Sequence, residues 1–234
     1  MSNDKGESME NYIAPSLLAA DCTKIGEEIA RIEATGVNYL HIDVMDGNFV
    51  PNITFGPDFV ARIRRESMLI FDVHLMIANP MDFIDKYIKA GADIVTFHYE
   101  ATDKPEDVLR YIREREMKAG IAVSPDTPIE KVLPLLKKGL CDMVLIMTVY
   151  PGFGGQKLMP EMLDKVRVLR RFIDSNDLDV DIEVDGGITA ENVSMCSAAG
   201  ANVFVAGTAI FGSKKANTVV KAMREAVKDT PFQG

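Results

Sequence analysis

The sequence has no long hydrophobic run and little positive charge. No apolar segment approaches the roughly 20 residues that a helix needs to span a bilayer, so a membrane-spanning helix is not expected. Lys and Arg number 26 against 35 Asp and Glu, which gives a formal net charge of −9. Proteins that bind nucleic acid usually carry a basic face, so nucleic acid is not an expected partner. An anionic ligand would have to be held by local groups rather than by the overall field.

Cysteine is scarce and scattered. Cys22, Cys141 and Cys196 form no CxxC pair and show no spacing typical of a zinc site. Such a set predicts three free thiols rather than a disulfide framework. The start of the chain is polar and acidic and lacks the apolar segment of a secretory signal. We therefore expect a flexible N-terminal tail over residues 1–11 and a cytoplasmic protein.

Short apolar or β-branched runs alternate with amphipathic stretches along the whole chain. The predicted strands are 12–17, 39–45, 70–76, 93–98, 118–123, 143–149, 181–185 and 202–206. The predicted helices are 25–35, 58–64, 80–90, 105–115, 129–138, 160–175, 190–199 and 216–226. Gly36, Gly91 and Gly200 stand where three of these helices should end. No GxGxxG follows the first strand, so eight strand–helix units predict an α/β fold, a single (β/α)8 TIM barrel over residues 12–230.

Polar side chains gather at the predicted C-terminal ends of the strands, the part of such a barrel that is exposed to substrate. Successive residues of a strand point to opposite faces, so His41, Asp43 and Met45 share one face. His74 lies near the end of strand three, and Asp185 ends strand seven. If these faces point into the barrel, two imidazoles and two carboxylates converge near its top. Such a set is a credible site for a divalent metal such as zinc, iron, manganese or cobalt.

Each of these residues also has a plainer interpretation. A single buried histidine is more often a hydrogen-bonded core residue, and an Asp before Gly, as at Asp46 and Asp185, is often a turn residue. The chain has only three histidines, however, and two alternate with carboxylate and Met at strand ends. This coincidence favours a metal site for His41 and His74. We expect a structural or rim role for His98 and a turn role for Asp46.

Glycine-rich turns follow the last three predicted strands. They contain Gly152, Phe153, Gly154 and Gly155, then Gly186 and Gly187, then Gly207 and Thr208. Backbone N–H groups of such turns can bind an anion, and barrel enzymes frequently hold phosphate after the last two strands. Glycine loops are often only tight turns, but three at consecutive strand ends favour a phosphate cradle. The double glycine after Asp185 suggests close approach of a ligand to the backbone.

Six motifs together resemble the ribulose-phosphate 3-epimerase family. They are IAPSL from residue 13, HIDVMDG from 41, VPN from 50, HLM from 74, PGFGGQ from 151 and EVDGGI from 183. They occur in the family's order and spacing from about Tyr12 to Ala226, which is nearly the whole chain. Any one motif would be modest support, whereas the colinear set is specific.

The resemblance implies a ribulose-phosphate-binding barrel that interconverts D-ribulose 5-phosphate and D-xylulose 5-phosphate in the pentose phosphate pathway. It implies that Asp43 and Asp185 accept and donate the proton and, with His41 and His74, bind one divalent metal ion per subunit. A homo-oligomer is expected. The residues implied in substrate contact are Ser16, His74, Gly152, Phe153, Gly154, Gly155, Asp185, Gly186, Gly187, Gly207 and Thr208.

Two positions depart from the family's usual pattern, and three alternatives stay open. Thr208 replaces the usual Ser and keeps the hydroxyl, while Tyr150 stands where Asn is commoner, at the entry to the glycine loop. An epimerase for a related ketose phosphate, such as allulose 6-phosphate, would use the same four ligands. A non-catalytic sugar-phosphate binding barrel would need no paired carboxylates. Metal-free lyases or decarboxylases of this fold usually place a Lys at the centre, and none lies at a strand end beside Asp43.

Overall fold

Eight parallel strands form a barrel in the computed structural model, which describes residues 10–228 and 230–233. The strands pair in the order β1-β8-β7-β6-β5-β4-β3-β2, and a parallel bridge between Ser16 and His41 joins β1 to β2. The predicted (β/α)8 barrel is confirmed, whereas residues 1–9 of the predicted tail lie outside the described residues. The strands are β1 Tyr12–Pro15, β2 Tyr39–Met45, β3 Ile70–Met76, β4 Ile94–His98, β5 Lys118–Val123, β6 Met143–Met147, β7 Asp181–Asp185 and β8 Val203–Ala206.

Helices connect the strands around the outside of the barrel. They are α1 Ile25–Glu33, α2 Pro57–Arg64, α3 Ile84–Ala90, α4 Pro105–Arg113, α5 Leu133–Lys137, α6 Leu163–Ser175, α7 Val193–Ala198, α8 Thr208–Phe211 and α9 Ala216–Val227. The predicted helices over 80–90, 129–138 and 160–175 each begin with a separate 3₁₀ turn. The four-residue α8 was not predicted, because it is too short to show a helical period. Within the described ranges, no helix has the length and apolarity required to cross a membrane.

The three predicted helix-ending glycines all adopt positive φ, at 76° for Gly36, 103° for Gly91 and 109° for Gly200. Left-handed backbone of this kind disfavours residues with a Cβ. At Gly91 a Cβ would also lie 2.5 Å from the side chain of Arg64. The guanidinium of Arg64 binds Asp93 and packs over the ring of Phe71, so that side chain cannot move freely.

The period-two alternation of the strands separates two kinds of core. On β2, Ile42 and Val44 point outward and pack with the helices, in the main hydrophobic cluster. Tyr39 points inward and packs with residues of the other strands at the N-terminal end of the barrel. His41 and Asp43 lie two and four residues after Tyr39 and so share its face of the strand. They therefore lie inside the barrel, above this apolar cluster. The fold thereby directs the polar residues of β2 into the interior.

We expect Gly91→Ala to lower the free energy of unfolding by about 1–2 kcal/mol, because it combines a left-handed backbone with a clash against Arg64. The matched control is Gly26→Ala in α1, where a Cβ would meet nothing within 4 Å. That control should leave stability unchanged or raise it by up to about 1 kcal/mol. Urea denaturation of both variants provides the measurement. Equal stability of the two would contradict the role given to the Gly91 turn.

Candidate active site

Four of the predicted residues meet inside the barrel. His41, Asp43, His74 and Asp185 each offer one ligand atom, and these atoms all lie within 4.8 Å of one another. Asp43 on β2 is directly opposite His74 on β3 in the strand register, while Asp185 comes from β7. The first three are buried and Asp185 is partly exposed. This group could hold a metal ion, as the strand parity predicted.

His41 shows that the residues suit a metal. Its Nδ1 lies 2.6 Å from Asp72 Oδ2, so the carboxylate accepts the Nδ1 hydrogen. Its Nε2 is buried, has no hydrogen-bond partner among the described residues, and lies 3.4 Å from Asp43 Oδ1. An unprotonated Nε2 would direct its lone pair toward the other three ligands. Imidazole nitrogen with carboxylate oxygen is a donor set that divalent transition metals accept.

The two aspartates have pKa values shifted in opposite directions. Burial would raise the pKa of Asp43, but the charge of His41 and the close contacts with the imidazoles of His41 and His74 outweigh it and lower the pKa. The hydroxyl of Ser16 also donates to Asp43 Oδ2 at 2.6 Å. Burial, followed by the nearby charge of Asp43, raises the pKa of Asp185 to about 7. Such separation is typical of paired acid and base groups.

Two further acidic residues lie beneath the four and were not predicted as part of the site. Asp72 and Glu183 are fully buried and, with His41, form a second group of close ligand atoms. Burial and the charge of Asp72 raise the pKa of Glu183 well above its usual range. Burial would lower the pKa of His41, but the charges of the surrounding carboxylates outweigh it and raise the pKa. Parity could have found both residues, since Asp72 lies two positions before His74 and Glu183 two before Asp185.

His98 is fully buried, which fits the structural role expected for it and excludes the rim role. Its Nε2 lies 2.9 Å from His74 Nε2, and its Nδ1 lies 3.1 Å from Glu100 Oε2. Burial lowers the pKa of His74 to about 4, which favours the neutral ring required of a metal ligand. Burial would raise the pKa of Glu100, but hydrogen bonds from His98, Thr127 and Ser124 lower it to about 2.

Asp46 behaves as the turn residue that its parity predicted. Its Oδ1 accepts hydrogen bonds from the backbone N–H groups of Asn48 and Phe49, each at 2.8 Å. Its Oδ2 accepts another from the N–H of Ala78, also at 2.8 Å. Asp46 thus links the loop after β2 to the loop after β3, outside the group of four.

A cavity of about 750 Å³ opens above the four residues. Met45, Met76 and Met147 are buried side chains that line it, and the glycine loops surround it. His41 and His74 are not among its lining residues, since both are covered. The other predicted site residues all line it: Ser16, Asp43, Gly152, Phe153, Gly154, Gly155, Asp185, Gly186, Gly187, Gly207 and Thr208.

The double glycine after β7 has a reason that the sequence did not reveal. A Cβ on Gly187 would lie 2.2 Å from the backbone nitrogen of Leu158, and one on Gly186 would lie 2.5 Å from Val149. Both glycines also have positive φ, at 130° for Gly186 and 69° for Gly187. The loop after β6 therefore packs directly on this turn, and both glycines also line the cavity.

Tyr150 helps to shape the cavity entrance. Its hydroxyl donates to Asp126 Oδ1 at 2.9 Å, which ties the loop after β6 to the loop after β5. The side-chain amide of Gln156 donates to the carbonyls of Tyr150 and Phe153, at 2.7 and 2.9 Å. These bonds hold the glycine loop in one conformation beside the cavity.

Fold and site together define a (β/α)8 barrel protein with a candidate metal site beneath a glycine-lined cavity. Residues 12–211 match the model of the ribulose-phosphate 3 epimerase family, and the chain belongs to this family. It is 42% identical to "Ribulose-phosphate 3-epimerase, cytoplasmic isoform" of Oryza sativa subsp. japonica, over 92% of this chain and 94% of that protein. It is 44% identical to "Ribulose-phosphate 3-epimerase" of Synechocystis sp., over 94% and 95%.

Solved structures show the same fold at low sequence identity. Structural similarity to 3-keto-L-gulonate-6-phosphate decarboxylase from Vibrio cholerae gives a TM-score of 0.70 at 15% identity, covering 95% of this chain and 99% of that one. Orotidine 5'-phosphate decarboxylase from Pyrococcus horikoshii gives 0.65 at 16% identity, covering 92% and 99%. These likenesses establish the barrel alone.

We expect Gly187→Ala to displace the loop after β6 and to speed tryptic cleavage after Lys157, which is exposed next to the contact. Lowering the cost of local opening by about 1.4 kcal/mol would raise the rate roughly tenfold. Gly154→Ala is the control in the same loop, since its Cβ would meet only Leu18 at an ordinary 3.7 Å. Timed digestion at native conditions compares them. The same cleavage rate in both variants would refute the packing role of Gly187.

Proposed function

We propose that the protein epimerises D-ribulose 5-phosphate at C3 to D-xylulose 5-phosphate, as a ribulose-phosphate 3-epimerase of the pentose phosphate pathway. Family membership and the names of the relatives support this assignment. The observation that carries the proposal is the pair of carboxylates, Asp43 and Asp185, which reach one cavity from different strands. We also propose a cytoplasmic homo-oligomer with residues 1–11 as a tail.

The proposed chemistry is two-base proton transfer. Inverting the carbon next to a carbonyl requires the removal of a proton from one face and the return of a proton to the other. Asp43 and Asp185 can flank a flat enediolate, one on each face, and the direction of reaction decides which removes the proton. The hydrogen bond from Ser16 fixes Asp43 Oδ2 and leaves Oδ1 toward the centre. The buried methionines exclude water from the reacting carbon.

We propose that His41, Asp43, His74 and Asp185 hold one divalent ion of zinc, iron, manganese or cobalt in each subunit. When bound, such an ion supplies a Lewis acid that stabilises negative charge developing on substrate oxygens. The buried Nε2 of His41, without another partner among the described residues, supports this assignment. His74 lies below the cavity surface, so its contribution is to the ligand set.

The glycine loops are proposed to bind the phosphate. Gly186, Gly187, Gly207 and Thr208 line the cavity on the side of β7 and β8, and Gly152–Gly155 closes it from β6. Their backbone N–H groups suit a phosphate that the net charge of −9 would otherwise repel. Ser16 and Phe153 complete the proposed substrate contacts.

We expect Asp43→Asn and Asp185→Asn each to lower kcat for epimerisation by about 10²–10⁴-fold, since each variant lacks one proton-transfer group. Coupled assays in both directions measure the loss, with circular dichroism to show that the fold is retained. Asp164→Asn on the outer helix α6 is the control and should leave kcat unchanged. Near-normal turnover in either site variant would refute the two-base scheme.

Proton exchange in heavy water distinguishes the two bases. In a two-base reaction, each variant should still exchange the C3 proton of one sugar phosphate through its remaining carboxylate, and the two variants should exchange opposite epimers. Mass spectrometry of recovered ribulose and xylulose 5-phosphate gives the exchange. Exchange of both epimers by one variant would indicate a single base. Comparing allulose 6-phosphate as a substrate for the unmodified protein tests the hexose alternative.

Removal of divalent metal by a chelator is expected to abolish epimerisation, and addition of zinc, iron, manganese or cobalt should restore it. The reason is that buried carboxylates and imidazoles at this site need a cation to stabilise charge in the reaction. Metal content by elemental analysis should follow the recovered activity, at one ion per subunit. Full activity in protein shown to be free of metal would defeat the ligand assignment.

A further inference from the structure

Three side chains connect the candidate metal site to the loop after β5. His74 Nε2 contacts His98 Nε2 at 2.9 Å, and His98 Nδ1 contacts Glu100 Oε2 at 3.1 Å. We propose that Glu100 acts through His98 to fix the tautomer of His74, so that His74 presents an unprotonated Nδ1 to the metal. Glu100 and His98 are then positioning residues, and this role rests on the proposed metal site.

The direction of these hydrogen bonds is set at Glu100. Its Oε1 accepts hydrogen bonds from the backbone N–H of Ser124, at 2.9 Å, and from the hydroxyl of Thr127. Its other oxygen, as part of a carboxylate, can also only accept. His98 Nδ1 must therefore carry the hydrogen in the bond to Glu100. In a neutral His98 ring, Nε2 is then left as an acceptor.

The same reasoning passes to His74. Its Nε2 must donate to the acceptor nitrogen of His98, so the hydrogen of the neutral His74 ring resides on Nε2. Nδ1 is left with a free lone pair, 3.2 Å from Asp43 Oδ1 and within the group of four. The opposite tautomer would place a hydrogen on Nδ1, donate it to Asp43 and block the ligand position. Partners of this kind are known to tune the affinity of metal sites.

Packing fixes the positions of the two imidazole rings, so only the direction of the hydrogen bonds between them can change. The rings of His98 and His74 meet edge to edge, with centroids 5.0 Å apart, and the centroid of the His98 ring lies 4.8 Å from that of Phe49. The loop that carries the donors to Glu100 is itself anchored, because Lys165 Nζ binds the carbonyls of Ser124 and Thr127 at 3.0 and 2.7 Å. The chain of bonds is thus rigid from the loop to the metal site.

Glu100→Gln tests the proposal with almost no change of shape. The amide oxygen must face the N–H of Ser124, which can only donate, so the NH₂ group faces His98 Nδ1. The tautomers of His98 and His74 would then both change, so that the hydrogen of the neutral His74 ring lies on Nδ1. We expect the dissociation constant for Zn²⁺, measured by competition with a chromophoric chelator, to rise about 10–100-fold. Glu130→Gln makes the same change of charge at an exposed residue nearby and should leave it unchanged.

Nitrogen-15 NMR of the metal-free protein detects the tautomers directly, and only three imidazoles contribute. We expect hydrogens on His98 Nδ1 and His74 Nε2 in the unmodified protein, and on the opposite nitrogens in Glu100→Gln. A hydrogen on His74 Nδ1 in the unmodified protein overturns the proposal, as does unchanged zinc affinity in the folded variant. If the variant does not fold, the unmodified spectrum decides. If the unmodified protein binds no zinc, the proposed metal site fails, while the spectra still assign the tautomers.

Discussion

Mutual repulsion of buried carboxylates is the constraint on which this site depends. Asp43, Asp72 and Glu183 surround His41 in the buried interior of the barrel, and the partly exposed Asp185 lies beside them. Buried charges of one sign are tolerated only with compensating positive charge or with protons. Without a metal, protons fulfil that need, which is why the pKa values of His41, Glu183 and Asp185 are all raised. A divalent cation would satisfy the same demand in a single step.

That compensation creates a conflict for the two aspartates. A carboxylate bound to a cation is a weaker base, yet the proposed reaction requires Asp43 and Asp185 to exchange protons with carbon. A cation held by these residues would therefore have to lower the barrier for removing the substrate proton by more than it weakens the base. The positions of the carboxylates on β2 and β7 are compatible with both proposed roles, since the two groups lie close together and would face opposite sides of a flat intermediate.

Most of the candidate site could be predicted from the alternation of inward and outward side chains along single strands. The alternation in β2 placed His41 and Asp43 together inside the barrel, and the match of family motifs then gave them roles. The same alternation could have indicated Asp72 and Glu183, whereas the role of His98 depends on a contact between strands. His98 lies on β4 and reaches His74 on β3, and nothing in either strand alone fixes that distance. The spacing of residues within one strand does not determine its register against the next strand, so a contact between two strands is seen only in the structure.

For the glycines, the sequence predicted the positions but not all of the contacts. The sequence did not reveal that Gly187 packs against a neighbouring loop, because a glycine required by a ligand and one required by a neighbouring loop look alike in sequence. The backbone of Leu158 lies against Gly187 and by itself leaves no room for a Cβ. The exact ends of helices were also beyond the sequence, since a first turn in the 3₁₀ form, as at Pro80–Asp82, has nearly the same pattern as an α-helical one.

Ser16 connects the candidate site to the point where the barrel closes. Its backbone bridges to His41 where β1 meets β2, while its side chain holds Asp43. The strand that precedes it, β1, is otherwise paired with β8, the last strand of the sheet to be synthesised. The first strand of the nascent chain therefore has no lasting partner on that edge until β8 emerges. A chain truncated before β8 would leave β1 without its paired strand and Ser16 without its backbone bond to Ala206, so the hydroxyl that binds Asp43 would lose its support.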